Sequence, residues 1–261
     1  MHKIAFEFGN FTIYWYGILV ALGFLAGLWT ASRRALIANV APERIVDLGP
    51  WLIVGTIVGA RTLYVIFYWR EEFVGESLWQ MFNIRRGGLI YYGGLVGASL
   101  ACVYYVRRKN LALWTMADIL APSIALGHAF GRVGCLMNGC CYGTVCDLPW
   151  AIQFPSDHPT HANAVHPTQL YEALLNLLLY LGLAWMFRRR QFEGQIFAAY
   201  LLCYAVVRAF VEMFRGDYTT LYFGIQATPA QVISIGIFAA GVALWQTLPK
   251  TGLSSRPPAS S

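Results

Sequence analysis

Uncharged apolar runs of bilayer-spanning length are the strongest constraint on how this chain can fold. Residues 13–30, 87–106 and 221–248 contain no Asp, Glu, Lys or Arg. Each is near or above the ~18–20 residues that cross a hydrocarbon core as a helix. Inside lipid every backbone N–H and C=O must find its partner within the protein, which a helix achieves unaided. The expected fold is therefore all-α: a polytopic transmembrane helical bundle. The composition agrees, with 57% hydrophobic and 12% charged residues and a mean hydropathy of +0.51, too apolar for an ordinary soluble domain.

The apolar runs and the polar punctuation between them predict about seven spans, near 13–31, 46–69, 87–106, 113–137, 168–187, 194–214 and 228–248. The flank of the first run, MHKIAFEFGNF, is short and weakly charged, and no small-residue cleavage site follows, so the first span is expected to be retained. Of the 19 Lys and Arg, eleven fall in the segments after the first, third, fifth and seventh spans. Five fall on the other side, and Arg61, Arg132 and Arg208 lie within spans. The positive-inside rule then places the N-terminus outside and the C-terminus in the cytoplasm. One membrane domain over 1–250 is expected, with a small extracytoplasmic cap at about 138–167, rich in Gly, Pro, Asn and His. The Ser/Pro-rich residues 251–261 read as a disordered cytoplasmic tail. The net charge of +6 comes from short basic groups between apolar runs, as membrane anchoring produces, so nucleic acid is not an expected partner. No internal repeat of fixed period is evident, which speaks weakly against a repeat-built transporter.

Three intramembrane arginines demand an explanation, because each costs roughly 2.5–3.5 kcal/mol on insertion scales unless it faces a polar interior. An anionic ligand would account for them, since the guanidinium fork matches phosphate oxygens and stays charged when desolvated. An internal ion pair is the alternative. Arg208 has a local candidate, because Tyr204, Arg208 and Glu212 share one helix face, with Arg215 three residues beyond Glu212. Arg132 has none nearby in sequence: Asp118 is nearly four turns away and Asp147 lies in the following loop. Arg61 follows the small-residue stretch GTIVGA and reads as a supporting residue or an ion-pair partner.

Cys135, Cys140, Cys141 and Cys146 crowd into the outer loop, where a disulfide is permitted. Buried small apolar side chains are the other plain reading. A metal or redox centre is disfavoured, since zinc sites favour a C-x₂₋₄-C pair matched by a second one and no C-x-x-C occurs. His128 sits one turn before Arg132. His166 opens HPTQLYE, whose Pro167 and Thr168 look like a helix start; His161 reads as structural.

GRVGCLMNGCCYG at 131–143 resembles the signature of prolipoprotein diacylglyceryl transferases, with Arg132, Gly134, Asn138, Gly139 and Gly143 in register. Four more stretches agree in order: WYG with Tyr16, YYGGLVG in the third span, HPTQLYE at 166–172, and YAVVRAFVEMFR at 204–215. The resemblance implies an enzyme of the bacterial inner membrane that moves the diacylglyceryl group of phosphatidylglycerol onto the lipobox cysteine of prolipoprotein signal peptides, releasing glycerol phosphate. No cofactor and no metal are implied. By carry-over Arg132 and Arg208 are the essential arginines, and Tyr16, Asn138, Gly143, Tyr204, Glu212, Arg215 and His166 line the substrate site. Tyr92 stands where better-known members have the histidine of an H-G-G motif, and takes that catalytic position here. Cys135 replaces a family asparagine. Two other readings are a phospholipid or anion transporter built on the same arginines, and a thiol-redox or metal protein built on the cysteines.

Overall fold

Prolines and one capping box mark several of the helix starts. In a computed structural model that describes residues 3–9, 11–75, 77–84, 87–160, 163–216 and 228–248, an antiparallel hairpin of β1 (Ile4–Phe8) and β2 (Phe11–Tyr14) leads directly into α1 (Trp15–Ile37). Then follow α2 (Pro42–Phe67), α3 (Tyr91–Arg108) and α4 (Leu113–Asn138). A two-stranded ladder, β3 (Ile152–Gln153) with β4 (Ala164–Val165), precedes α5 (Thr168–Phe187), α6 (Gln195–Glu212) and α7 (Pro229–Thr247). Pro42 and Pro229 sit at helix starts, where the missing N–H costs nothing. Thr228 and Gln231 close a reciprocal capping box on α7.

Six of the seven are apolar and long enough to cross a membrane, so the protein is a multi-pass helical membrane protein. The exception is α3, counted among the seven expected spans; Tyr91, Tyr92, Tyr104 and Tyr105, with Arg107 and Arg108 in its last turn, lower its hydropathy. Several boundaries also differ from the sequence expectation: α2 begins at Pro42 rather than 46 and α3 at Tyr91 rather than 87. Residues 13 and 14 belong to β2, and α1 continues past residue 31 to Ile37. The extension carries Arg34 into a buried position, where Nε donates to Ile119 O at 3.0 Å and Nη2 reaches Thr30 and Ser123. A charged residue ends a hydropathy run without ending a helix when its donors are met. The proposed tail at 251–261, and His161, lie outside the described residues.

The chain divides into two compact units, Asn39–Met116 and the remainder. Within the first, α2 and α3 touch backbone to backbone: a Cβ added to Gly97 would overlap Gly55 O, and one on Gly59 would overlap Gly93 O. Arg61 of α2 donates to Met81 O (2.8 Å), Gln80 O (2.7 Å), Gly87 O (3.0 Å) and Gly88 O (3.1 Å). It clamps the α2–α3 connection through carbonyls rather than through a carboxylate.

In the second unit, Asp118 of α4 is fully buried and accepts from the amides of Gly194, Ile196 and Phe197 at 2.8, 2.9 and 3.0 Å. These are orphan donors at the start of α6, so one carboxylate caps that helix across the bundle. Phe154 and Val165 from the 138–167 segment share a buried cluster with Leu136 of α4, which seats that segment on the helix end.

Candidate active site

The start of α5, TQLYEALLN, is an apolar helix with one polar face: Thr168, Gln169, Glu172 and Asn176 are all buried. Glu172 organises the charges around it. Its Oε1 lies 3.0 Å from Arg132 Nη2 and 3.2 Å from His128 Nε2, and its Oε2 lies 3.9 Å from Arg208 Nη1. Arg208 Nη1 in turn lies 2.6 Å from Glu212 Oε2, an oxygen 3.8 Å from Arg215 Nη1. The result alternates in sign from Arg132 through Glu172, Arg208 and Glu212 to Arg215.

Arg132 also donates from Nε to His128 Nε2 at 3.2 Å. That nitrogen serves Arg132 when it carries the lone pair and Glu172 when it carries the proton, so the tautomer of His128 decides which neighbour it engages. Tyr204 places its ring 5.4 Å from His128 and 5.5 Å from Tyr200. Tyr16, at the start of α1, packs against the helix that carries Arg132: a Cβ on Gly134 would come 3.0 Å from Tyr16 Cδ2.

The loop after α4 is held from two sides. Gly139 leaves the helix with φ +74, and Cys141 adopts φ +64. Gln169 Nε2 donates to Cys140 O and Thr168 Oγ1 to Cys141 O, both at 2.7 Å. Gly143 then passes between His166 and the end of α6, bridged to Arg215 and donating to His166 O at 3.0 Å. A Cβ there would fall 2.5 Å from His166 Cβ and 2.6 Å from Phe214 O, so only glycine fits. This passage ties the signature loop to the segment bearing Arg215.

The structure thus gathers Arg132, Arg208, Glu212 and Arg215 into one network, with Tyr204 and Tyr16 against it and Gly143 bracing it. His166 is elsewhere. Its backbone pairs with Gly143 and Thr144, and its ring meets the Tyr171 hydroxyl at 3.3 Å and the Phe214 ring at 5.3 Å. Asn138 ends α4 exposed, its Nδ2 3.8 Å from Cys140 Sγ. Tyr92 belongs to the other unit and is 52% exposed. The lack of a nearby carboxylate for Arg132 is a property of the sequence only, because helix packing supplies Glu172. That residue was missed although a signal existed: polar side chains recurring on one face of an otherwise apolar helix. The six cysteines are all free thiols in the structure.

Long apolar helices around a buried guanidinium–carboxylate centre define a multi-pass membrane protein with a charged interior site. The family model for prolipoprotein diacylglyceryl transferase matches residues 3–247, and the chain belongs to that family. Similar proteins are the phosphatidylglycerol–prolipoprotein diacylglyceryl transferases of Finegoldia magna (40% identical, covering 94% of each chain), Bacillus cereus (38%, covering 93% of this chain and 90% of the relative) and Synechococcus elongatus (36%, covering 90% and 83%).

Proposed function

We propose that this chain transfers the diacylglyceryl group of phosphatidylglycerol to the thiol of the lipobox cysteine of prolipoproteins, in the bacterial inner membrane, and releases glycerol phosphate. The single observation that carries the reading is the Arg132–Glu172–Arg208–Glu212–Arg215 network, which gathers three guanidiniums inside an apolar helical bundle. The guanidinium fork matches the oxygens of a phosphodiester and stays charged when desolvated.

In the reaction the thiolate sulfur bonds to the glycerol carbon, and the carbon–oxygen bond to phosphate breaks with its electron pair. The departing phosphate gains a second negative charge. Arg132 and Arg208 are aimed by Glu172 and Glu212 before the substrate arrives, so no reorganisation is needed when that charge develops. A preorganised donor of this kind lowers a barrier by about 2.7–4 kcal/mol in comparable sites. Arg215 adds a third cation at the loop end. Tyr16, Asn138, Gly143, Tyr204 and His166 shape the space for the lipid and the peptide. The nucleophile comes from the substrate; a cysteine thiol of pKa near 8.5 is a few per cent thiolate at neutral pH, and a cationic field raises that fraction. The catalytic domain spans 1–250, with the 138–167 cap outside and the C-terminus in the cytoplasm.

The test is direct. Purified protein with phosphatidylglycerol and a lipobox peptide should add a diacylglyceryl mass to the peptide and release glycerol phosphate. A peptide with serine for the lipobox cysteine should gain nothing. Lipid movement without mass gain would make the chain a carrier.

A further inference from the structure

The transfer just described makes no use of the cysteines of the outer loop, yet three of them are assembled. The sulfurs of Cys135, Cys140 and Cys141 all lie within 4.8 Å of one another. They come from separately fixed supports. Cys135 sits on the last turn of α4, three residues after Arg132. Cys140 and Cys141 sit on the loop whose carbonyls are held by Gln169 and Thr168 at 2.7 Å. Cys146 stands apart, its amide paired with Ala164 O.

The spacing suits a metal ion. A zinc–sulfur bond of about 2.3 Å in a tetrahedron sets sulfurs about 3.8 Å apart. Closing the trio onto an ion therefore asks for about 1 Å of movement at most. Charge suits it too, because three thiolates on a dication leave one negative charge beside Arg132 and Arg215. Cys141 and Cys146 form a second C-x₄-C pair in sequence, but Cys146 is not one of the clustered sulfurs, which leaves three ligands. Three ligands with one open position are the pattern of a catalytic zinc.

We propose that Cys135, Cys140 and Cys141 form a three-thiolate zinc site whose fourth position takes the thiol of the incoming lipobox cysteine. The second half rests on the transferase reading. Binding forms a zinc–sulfur bond and releases the thiol proton to water. The bound thiolate then bonds to the glycerol carbon while the carbon–oxygen bond breaks, the electron pair leaving on glycerol phosphate. The thioether product is a weaker ligand and departs, and zinc keeps its oxidation state throughout.

Full-length protein, purified in detergent under reductant, is loaded with zinc alone, desalted and assayed for metal by mass spectrometry. The native chain and Cys146→Ser should each retain about one zinc. Cys135→Ser, Cys140→Ser and Cys141→Ser should each bind at least tenfold more weakly. Cobalt in place of zinc should give a thiolate charge-transfer band that shifts with a lipobox peptide and stays put with its serine counterpart. A native chain with reduced thiols that retains no zinc, or equal retention in Cys141→Ser, overturns the site. A cobalt spectrum indifferent to the peptide overturns the open position. Metal retention is read without lipid, so zinc bound with no diacylglyceryl transfer would sink the transferase reading instead.

Discussion

Arg132 on α4 and Glu172 on α5 meet at 3.0 Å, and the same carboxylate carries His128 and faces Arg208. Removing one partner of a buried pair leaves the other charge uncompensated, at about 3–5 kcal/mol. Glu172→Gln keeps the shape and removes the charge. It should lower transfer at least ~100-fold, the equivalent of about 2.7 kcal/mol in barrier, and also lower the melting temperature in detergent. Activity is read as peptide mass gain. Native-like turnover would remove Glu172 from the centre of the mechanism.

Charge alone is not sufficient at the two arginines. An ammonium cannot reproduce the guanidinium fork. Arg132→Lys and Arg208→Lys should therefore lose most activity while the protein still reaches the membrane in normal amounts. Near-normal rates in either variant would assign that arginine to structure.

A phenol ionises near pH 10 in water and is a poor general base at neutral pH. Tyr92→Phe should accordingly slow transfer much less than Arg132→Ala. His166→Gln should leave the acidic limb of the pH–rate profile in place, because that limb belongs to the substrate thiol: rate rises with pH as the thiolate fraction rises. Disappearance of the limb in His166→Gln would make His166 the base.

Gly143 is squeezed between His166 and Phe214, whereas a Cβ on Gly131 would meet nothing within 4 Å. Gly143→Ala should cost about 1–3 kcal/mol of stability by overpacking and displace the loop. Gly131→Ala should melt like the native chain. Equal melting temperatures for the two would contradict the packing.

Reporter fusions after residues 109 and 160 give the orientation: the first should read cytoplasmic and the second extracytoplasmic. The opposite result at residue 109 would invert the topology.

Much of the bundle was legible in the sequence because bilayer length and helix punctuation are local signals. The start at Pro167–Thr168 and the basic stop at residues 188–190 place α5 over 168–187, where it is found. Ends set by long-range satisfaction were not legible: α1 runs on through Arg34 because carbonyl and hydroxyl partners on α4 receive it. The site divides the same way. Arg132 and Arg208 stand out as charges in apolar runs, and Arg208–Glu212 is an i,i+4 pair visible in the text of the chain. Glu172 joins them only once α5 packs beside α4. The sulfur trio depends on positive φ at Gly139 and Cys141 folding the loop back toward Cys135.

The glycine contacts between α2 and α3 bear on how the chain enters its membrane. α3 falls short of the apolarity that the other six helices have, so during synthesis it has little reason to leave the translocation channel alone. Its partner supplies one. With Gly55 and Gly59 against Gly93 and Gly97, α3 can partition into lipid already leaning on α2 through its glycine face. A bulky substitution at Gly97, whose Cβ would overlap Gly55 O, should therefore show itself first as a biogenesis defect, before any catalytic one.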